Sequence, residues 1–155
     1  MTFDATSGTR GGRVPRGAFM RWFNRRMAKR IRGKGGRMLG QHSLLLITVG
    51  AKSGEPREVP LARFAAPNGG WFVVASANGA QRNPSWYHNL AAHPDQARIV
   101  MDGTETAVIA TQLHGDEREH AWQQVIAEQP RFAKYAAKTD RAIPIIRLTP
   151  KTTPA

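Results

Sequence analysis

Cysteine is absent from this chain of 155 residues. Its absence excludes disulfide bonds and thiolate metal sites, and the sequence gives no sign of an oxidising compartment. Long hydrophobic runs are also missing, since the longest, LLLITV (residues 44–49), has the length of a buried strand and not of a membrane span. The N-terminus lacks the continuous apolar segment of a secretory signal. We therefore predict a cytoplasmic protein.

Acidic residues are scarce, with 11 Asp and Glu against 23 Lys and Arg, which gives a net charge of +12. Residues 1–37 account for +10 of this charge and residues 38–155 for only +2. A nucleic-acid-binding domain more often spreads its positive charge over the folded body, so we predict no nucleic-acid partner. The charge division predicts two parts: a basic N-terminal arm over residues 1–37 and a separate domain over residues 38–155.

The arm itself divides in two. Residues 1–16 are rich in Gly, Ser, Thr and Arg, and we expect them to be disordered. Beyond them Phe19, Phe23, Met27 and Ile31 recur every four residues, which predicts an amphipathic helix that ends at GKGG. Its apolar stripe suits two roles: it lies on an anionic membrane, at the inner face of the plasma membrane, or it caps the rest of the protein.

The rest of the chain reads as short strands joined in hairpins. Strands are predicted over residues 43–49, 57–64, 71–76, 97–101, 105–113 and 143–148. One helix is predicted to begin at Asn83-Pro84, with Asn83 as its N-cap, and a second spans residues 116–128. This pattern predicts a mainly-β fold with flanking helices, built on an antiparallel barrel.

No common catalytic motif is present: the chain has no Walker phosphate loop, no metalloprotease histidine pair and no nucleophile elbow. We predict no metal site and expect the chemistry to come from a bound cofactor. Lys52 and Arg57 at one hairpin tip, the loop 76–79 and Arg82 all favour an anion. Trp86 and Tyr87, beside them, either contact a flat aromatic ligand with a phosphate tail or pack their helix against the barrel.

Three segments, in this order and spacing, carry a resemblance to a known family: LLLITVGAKSGEPREVPL, VVASANGAQRNPSWYHNL and TDRAIPIIRL. Over roughly residues 41–150 the chain resembles the deazaflavin-dependent nitroreductase family of actinobacteria. The resemblance implies a split β-barrel of the FMN-binding type and coenzyme F420 as cofactor. It also implies an oxidoreductase that transfers a hydride from reduced deazaflavin to a lipophilic acceptor, either a quinone or a nitroaromatic compound.

The resemblance further implies which residues bind the cofactor. In the family the hairpin motif holds the anionic tail, a role that falls here to Lys52 and Arg57, while Ser53 and Gly54 shape the turn. The other implied positions are Pro56, Ala75, Ser76, Ala77, Arg82, Asn83, Pro84, Trp86, Tyr87 and Asn89. Ala77 stands where many members carry a lysine, so one tail contact is missing or Arg82 replaces it.

A second departure concerns the acceptor. Members with nitroreductase activity often carry three tyrosines before TDR that face the substrate, and here Gln129 and Phe132 stand at two of those positions. Tyr135 keeps its hydroxyl and is the predicted catalytic residue, because a tyrosine hydroxyl orients a carbonyl or nitro oxygen and supplies a proton. The two replacements also suit an alternative function, a non-catalytic protein that carries F420 or a fatty acyl ligand.

Overall fold

The computed structural model describes residues 3–4, 7–12, 18–32, 37–38, 41–67 and 69–151. Its helices are α1 (Ala18–Arg32), α2 (Ser85–Ala92), α3 (Gly115–Glu128) and α4 (Arg131–Lys138), with a short 3-10 turn at Ala77–Gly79. Its strands are β1 (Arg37–Met38), β2 (Gln41–Val49), β3 (Pro56–Ala62), β4 (Phe64–Ala65), β5 (Trp71–Val74), β6 (Ala97–Met101), β7 (Thr104–Gln112) and β8 (Ile145–Pro150). Among these described residues no helix is long and apolar enough to cross a membrane.

The strands curl into a half-barrel. They follow the antiparallel order β1-β2-β6-β7-β8-β5-β4, and β3 pairs with β2 along the edge opposite β6. Strands β3 and β4 thus lie at opposite ends of the sheet, although only Arg63 separates them in the chain. The two ends must come together, which bends the sheet into a barrel. The predicted antiparallel split barrel is therefore confirmed.

Strand β2 is apolar on both of its faces, which explains its continuous hydrophobic run. Leu44 and Leu46 belong to the cluster inside the barrel, whereas Leu45 and Ile47 lie on the outer face under α1. Ile31 of α1 is fully buried against that outer face. Because successive side chains of a strand point to opposite faces, burying both faces requires this unbroken run in place of alternation.

Helix α1 packs on the barrel through the predicted stripe. Among the side chains described, Phe23 and Met27 are half-buried and Ile31 is buried, whereas Trp22 is 51% exposed. These contacts, with β2, β3 and β6, favour the capping role of the helix. The division of the chain at residue 37 stays a prediction.

The prediction that residues 1–16 are disordered is wrong for residues 3–4 and 7–12. Phe3 is buried, and its ring meets the Tyr87 ring edge to face at 5.4 Å. The Gly8 N–H donates to the Gln81 carbonyl, and Gly12 donates to the Gly79 carbonyl and accepts from the Gln81 N–H. The composition concealed these contacts because their partners lie roughly 70 to 80 residues further along the chain.

Three further details differ from the predictions. The described residues form eight strands and not six, because the two-residue strands β1 and β4 carry no periodic signal of their own. The last strand begins two residues later than predicted, at Ile145. Asn83 does not cap α2: Pro84 occupies the N-cap position, and the Asn83 side chain accepts a hydrogen bond from Arg141 instead.

Candidate functional site

Two adjoining cavities open beside α1, α2 and the β2–β3 hairpin. The first has a volume of about 730 Å³ and the second about 280 Å³. Asn24, Val59, Ser85 and Trp86 line both cavities, so the two share a wall. The site thus has a larger chamber under the hairpin tip and a smaller one that continues towards α4.

The hairpin tip lines the first cavity with two cations. Lys52, Ser53 and Arg57 all face it, and Glu58 adds one carboxylate. The turn is held by hydrogen bonds from the Gly50 N–H to the Glu55 carbonyl at 2.8 Å and from the Gly54 N–H to the Gly50 carbonyl at 2.9 Å. Gly54 has φ +72°, which explains why a glycine stands there. The Arg57 Nη2 lies 3.4 Å from the Ser53 hydroxyl oxygen, so that serine orients the guanidinium.

Asn89 fixes the hairpin tip to helix α2. Its Oδ1 accepts a hydrogen bond from the Ala51 N–H at 2.9 Å, and its Nδ2 donates to the Thr48 hydroxyl at 3.1 Å. Both Asn89 and Thr48 are buried and line the first cavity. The hairpin tip, which includes Lys52, is therefore held in one position relative to α2.

Trp86 and Tyr87 take different sides of α2. Trp86 lines both cavities, whereas Tyr87 is fully buried in the barrel interior and lines neither. The Tyr87 hydroxyl donates to Gln112 Oε1 at 2.6 Å and accepts from the Asp4 N–H at 3.0 Å. The sequence left open whether these two aromatic residues contact a ligand or pack the helix. In the structure Trp86 is placed for a ligand, and Tyr87 packs the helix against the barrel.

Residues 75–83, the cavity loop, form one wall of the second cavity through Ser76, Ala77 and Asn78. Ala77 and Asn78 have φ +45° and +56°, in the left-handed region that non-glycine residues rarely occupy. The loop is held from behind by Arg141, whose guanidinium is buried. It donates to the carbonyls of Ala75 (2.9 Å), Ser76 (2.9 Å) and Ala80 (3.1 Å) and to Asn83 Oδ1 (2.5 Å).

Helix α4 closes the second cavity with Arg131, Phe132 and Tyr135. It packs tightly on the cavity loop: a Cβ at Gly79, which has φ +82°, would lie 2.7 Å from the Tyr135 carbonyl oxygen. Within the part of the chain that the structure describes, the Tyr135 hydroxyl has no hydrogen-bond partner. This contrasts with Tyr87, the other tyrosine of the chain, whose hydroxyl is fully engaged.

The N-terminal segment fastens the end of α4. The Asp140 carboxylate accepts hydrogen bonds from the Thr9 hydroxyl, from the Thr9 N–H at 2.7 Å and from the Arg10 N–H at 2.9 Å. The Thr9 hydroxyl first, and then these N–H groups, lower the pKa of Asp140 to about 2. Asp140 is therefore ionised at neutral pH and anchors the segment.

The structure brings most of the predicted site residues to the two cavities. Lys52, Ser53, Arg57, Ser76, Ala77, Pro84, Trp86, Asn89 and Tyr135 line at least one of them. Gly54, Pro56, Ala75, Arg82, Asn83 and Tyr87 line neither. Gly54 and Pro56 shape the hairpin, Ala75 and Asn83 are buried around Arg141, and Arg82 is an exposed residue of the cavity loop.

Several residues at the site were not expected from the sequence. Phe23 and Asn24 reach it from α1, and His88 reaches the first cavity from α2. The apolar stripe of α1 includes Phe23, and Asn24 is its neighbour. The prediction that this helix caps the barrel could therefore have indicated both residues. The role of Arg141 in TDRAIPIIRL had no such signal, because it depends on where the cavity loop lies.

Comparison with known proteins identifies the family of the chain. The family model described as F420H(2)-dependent quinone reductase matches residues 19–150. An F420H(2)-dependent quinone reductase of Mycobacterium tuberculosis is 36% identical over 135 residues, 85% of each chain. The solved structure of an F420-H2 dependent reductase, 39% identical, covers 68% of this chain and 92% of its own, with a TM-score of 0.61. A structure described as a domain-swapped dimer is 34% identical, covers 84% and 96%, and has a TM-score of 0.62.

The match spans the barrel, both cavities and most of α1, and the relatives are covered over most of their length. The predicted oxidoreductase class and the predicted cofactor, coenzyme F420, are thereby confirmed. The chain belongs to the F420H(2)-dependent quinone reductase family.

Proposed function

We propose that the first cavity holds the anionic tail of F420 and that the second cavity receives a quinone. The observation that carries this proposal is the pair of joined cavities, with Lys52 and Arg57 on the larger and the Tyr135 hydroxyl, which has no partner among the described residues, on the smaller. The shared wall of Asn24, Val59, Ser85 and Trp86 is then the place for the deazaflavin ring.

The residues present fit this cofactor. Its tail carries a phosphodiester and glutamates, and two cations beside a serine hydroxyl match a polyanion better than a single phosphate. The volume of the first cavity, about 730 Å³, lies well within the range of small-molecule sites. Trp86 offers the ring an aromatic surface that is already fixed by the packing of α2.

The second cavity suits a flat and apolar acceptor. Phe23, Leu61 and Phe132 provide hydrocarbon walls, and Tyr135 provides the hydroxyl. Reduced F420, when bound, supplies a hydride, and one further proton completes the two-electron reduction of a quinone to a quinol. The Tyr135 hydroxyl donates a hydrogen bond to the quinone carbonyl oxygen, which stabilises the negative charge that develops there as the hydride arrives.

The outer face of α1 favours attachment to an anionic membrane, where lipophilic quinones reside. Its exposed side chains are Arg21, Trp22, Arg25, Arg26, Lys29 and Arg30. Each basic residue near such a surface contributes about 1 kcal/mol to binding. We propose that this face holds the protein at the inner face of the plasma membrane while the opposite face of the helix closes the site.

Steady-state kinetics test the proposed reaction. The protein is mixed with reduced F420 and a water-soluble menaquinone analogue, and the return of oxidised F420 absorbance is followed. We expect saturable turnover with reduced F420 and little with reduced FMN, whose tail has a single phosphate. Tight F420 binding without turnover on any quinone would overturn the proposal and favour the non-catalytic carrier.

A further inference from the structure

Arg141 stands directly behind the cavity loop and lines neither cavity. Its side chain is buried, and the four hydrogen bonds of its guanidinium all go to residues 75–83. A buried charge is retained at a cost in desolvation, so its partners indicate what it is for. Here every one of those partners belongs to the loop that walls the second cavity.

The carbonyl contacts fix the direction of two backbone N–H groups. In a trans peptide the N–H points opposite to the carbonyl of the preceding residue, and the described chain has no cis peptide. The carbonyls of Ala75 and Ser76 both point at Arg141, so the N–H groups of Ser76 and Ala77 point away from it. Within the described parts of the chain, neither N–H donates a hydrogen bond to a protein group.

We propose that Arg141 is a positioning residue for the deazaflavin, which holds the cavity loop so that the N–H groups of Ser76 and Ala77 face the oxygen atoms of the ring. The proposal rests on the assignment of the shared wall to the ring. It adds two backbone donors to the second cavity, which Ser76 and Ala77 both line.

Only arginine meets the demands of this position. The three carbonyls and the Asn83 side chain surround a planar fork, and the five N–H donors of a guanidinium are fixed in that shape, whereas the ammonium of a lysine is a single point. The left-handed backbone of Ala77 and Asn78 is unfavourable for non-glycine residues, so the loop needs external contacts to hold it. Burial lowers the pKa of Arg141 from its ordinary value, yet a guanidinium remains charged at neutral pH.

The test compares Arg141→Lys with Arg118→Lys, and it measures binding by tryptophan fluorescence. Arg118 is the matched control, because it is half-buried and also donates to a backbone carbonyl, that of Ile143 at 2.8 Å, but has no hydrogen bond to the cavity loop. Three probes are titrated: F420, the deazaflavin with its ribityl chain but no phosphate or glutamates, and the tail fragment alone. Titrations are run well below the melting temperature of each variant.

We expect Arg141→Lys to weaken the binding of F420 and of the tail-less deazaflavin by the same factor, about tenfold, and to leave the binding of the tail fragment unchanged. Arg118→Lys should bind all three probes like the wild type. Asn83→Ala is the second variant, to be used if Arg141→Lys does not fold. It removes one partner of Arg141 and spares the carbonyl contacts, so it should give a smaller loss of affinity for the same two probes.

Two results would overturn the proposal: F420 binding by Arg141→Lys that equals wild type, or equal losses for all three probes. If Arg141→Lys does not fold, unchanged binding by Asn83→Ala overturns it. The proposed tail site is tested separately by Lys52→Ala and Arg57→Ala, which should weaken F420 and the tail fragment but not the tail-less deazaflavin. A failure of that pattern counts against the hairpin assignment alone.

Discussion

Replacement of Arg57 by alanine is the most direct test of the tail site. Arg57 lies on the first cavity, and its guanidinium is oriented by the Ser53 hydroxyl at 3.4 Å and the Pro56 carbonyl at 3.3 Å. Hydrogen bonds to charged groups contribute about 1.5–3 kcal/mol. Because Arg57 is exposed, solvent and salt screen its charge, and the lower end of that range applies. We therefore expect Arg57→Ala to raise the Kd for F420 by a little more than tenfold.

Lys52→Ala should have a similar effect, and the double variant a larger one. The fold should survive, because the hairpin tip is exposed and is held by the backbone and by Asn89, not by these two cations. Titrations of tryptophan fluorescence at low and high salt give the Kd values. Arg98→Ala is the matched control, since it removes an exposed arginine that pairs with Glu105 at 2.9 Å and lines neither cavity.

The salt dependence separates a charge effect from a structural one. The wild type should lose F420 affinity as salt rises, and Arg57→Ala should lose less, because it has one charge fewer to screen. The preference for F420 over FMN should also shrink in both alanine variants. If Lys52→Ala and Arg57→Ala both bind F420 as the wild type does at low salt, the hairpin is not the tail site and our reasoning fails.

Three further predictions concern other parts of the site. Tyr135→Phe should lower kcat with a quinone and leave the Kd for F420 unchanged, and unaltered turnover would remove Tyr135 from the mechanism. Asp140→Asn should lower the urea midpoint at pH 7. Since the folded pKa of about 2 lies below the ordinary 3.8, the stabilisation by Asp140 is full above pH 4 and is lost towards pH 2, so the difference from wild type should shrink at pH 3; a constant difference would contradict this assignment. Removal of residues 1–37 should weaken F420 binding because Asn24 lines both cavities, and a truncated protein with wild-type affinity would show that α1 is not part of the site.

The sequence predicted those parts of the fold that are governed by local patterns. The run LLLITV predicted a buried strand, and β2 is buried on both faces by the barrel interior and by α1. The predicted strands 97–101 and 105–113 do form a hairpin, and Asp102 and Gly103 between them have the positive φ that a tight hairpin turn requires. Such features depend on neighbours in the chain, which a single sequence displays directly.

Features that depend on distant contacts were missed. Helix α4 was not predicted, because it has only eight residues. A weak local signal for it was nevertheless present, since Phe132, Tyr135 and Ala136 share one face. The ordered residues near the N-terminus had no local signal, because Phe3 is buried against Tyr87 and Thr9 binds Asp140. The composition of a Gly- and Arg-rich segment predicts disorder, and only its contacts with distant residues show that it is ordered.

The site shows the same division. Lys52 and Arg57 were identified because their turn brings them together within six residues. Trp86 and Tyr87 could not be told apart, since which side of α2 faces the cavities depends on how the helix lies on the barrel. The role of Arg141 could not be predicted for the same reason. In a sequence an arginine is normally assigned to the surface, and its role here depends on the position of the cavity loop.

The apolar stripe of α1 cannot serve the barrel and a membrane at the same time. Ile31 is fully buried and Ala28 is 8% exposed against β2 and β6, so insertion of the stripe into lipid would require α1 to leave the barrel and take Asn24 from the cavities. By thermodynamic linkage, F420 and anionic vesicles would then weaken the binding of each other. We expect instead that α1 stays in place and that only its outer face, with Arg25, Arg26 and Trp22, meets the lipid. The Kd for F420 should therefore be unchanged by anionic vesicles, and high salt should release the protein from them. An F420 affinity that falls as vesicles are added would show that the helix leaves the barrel.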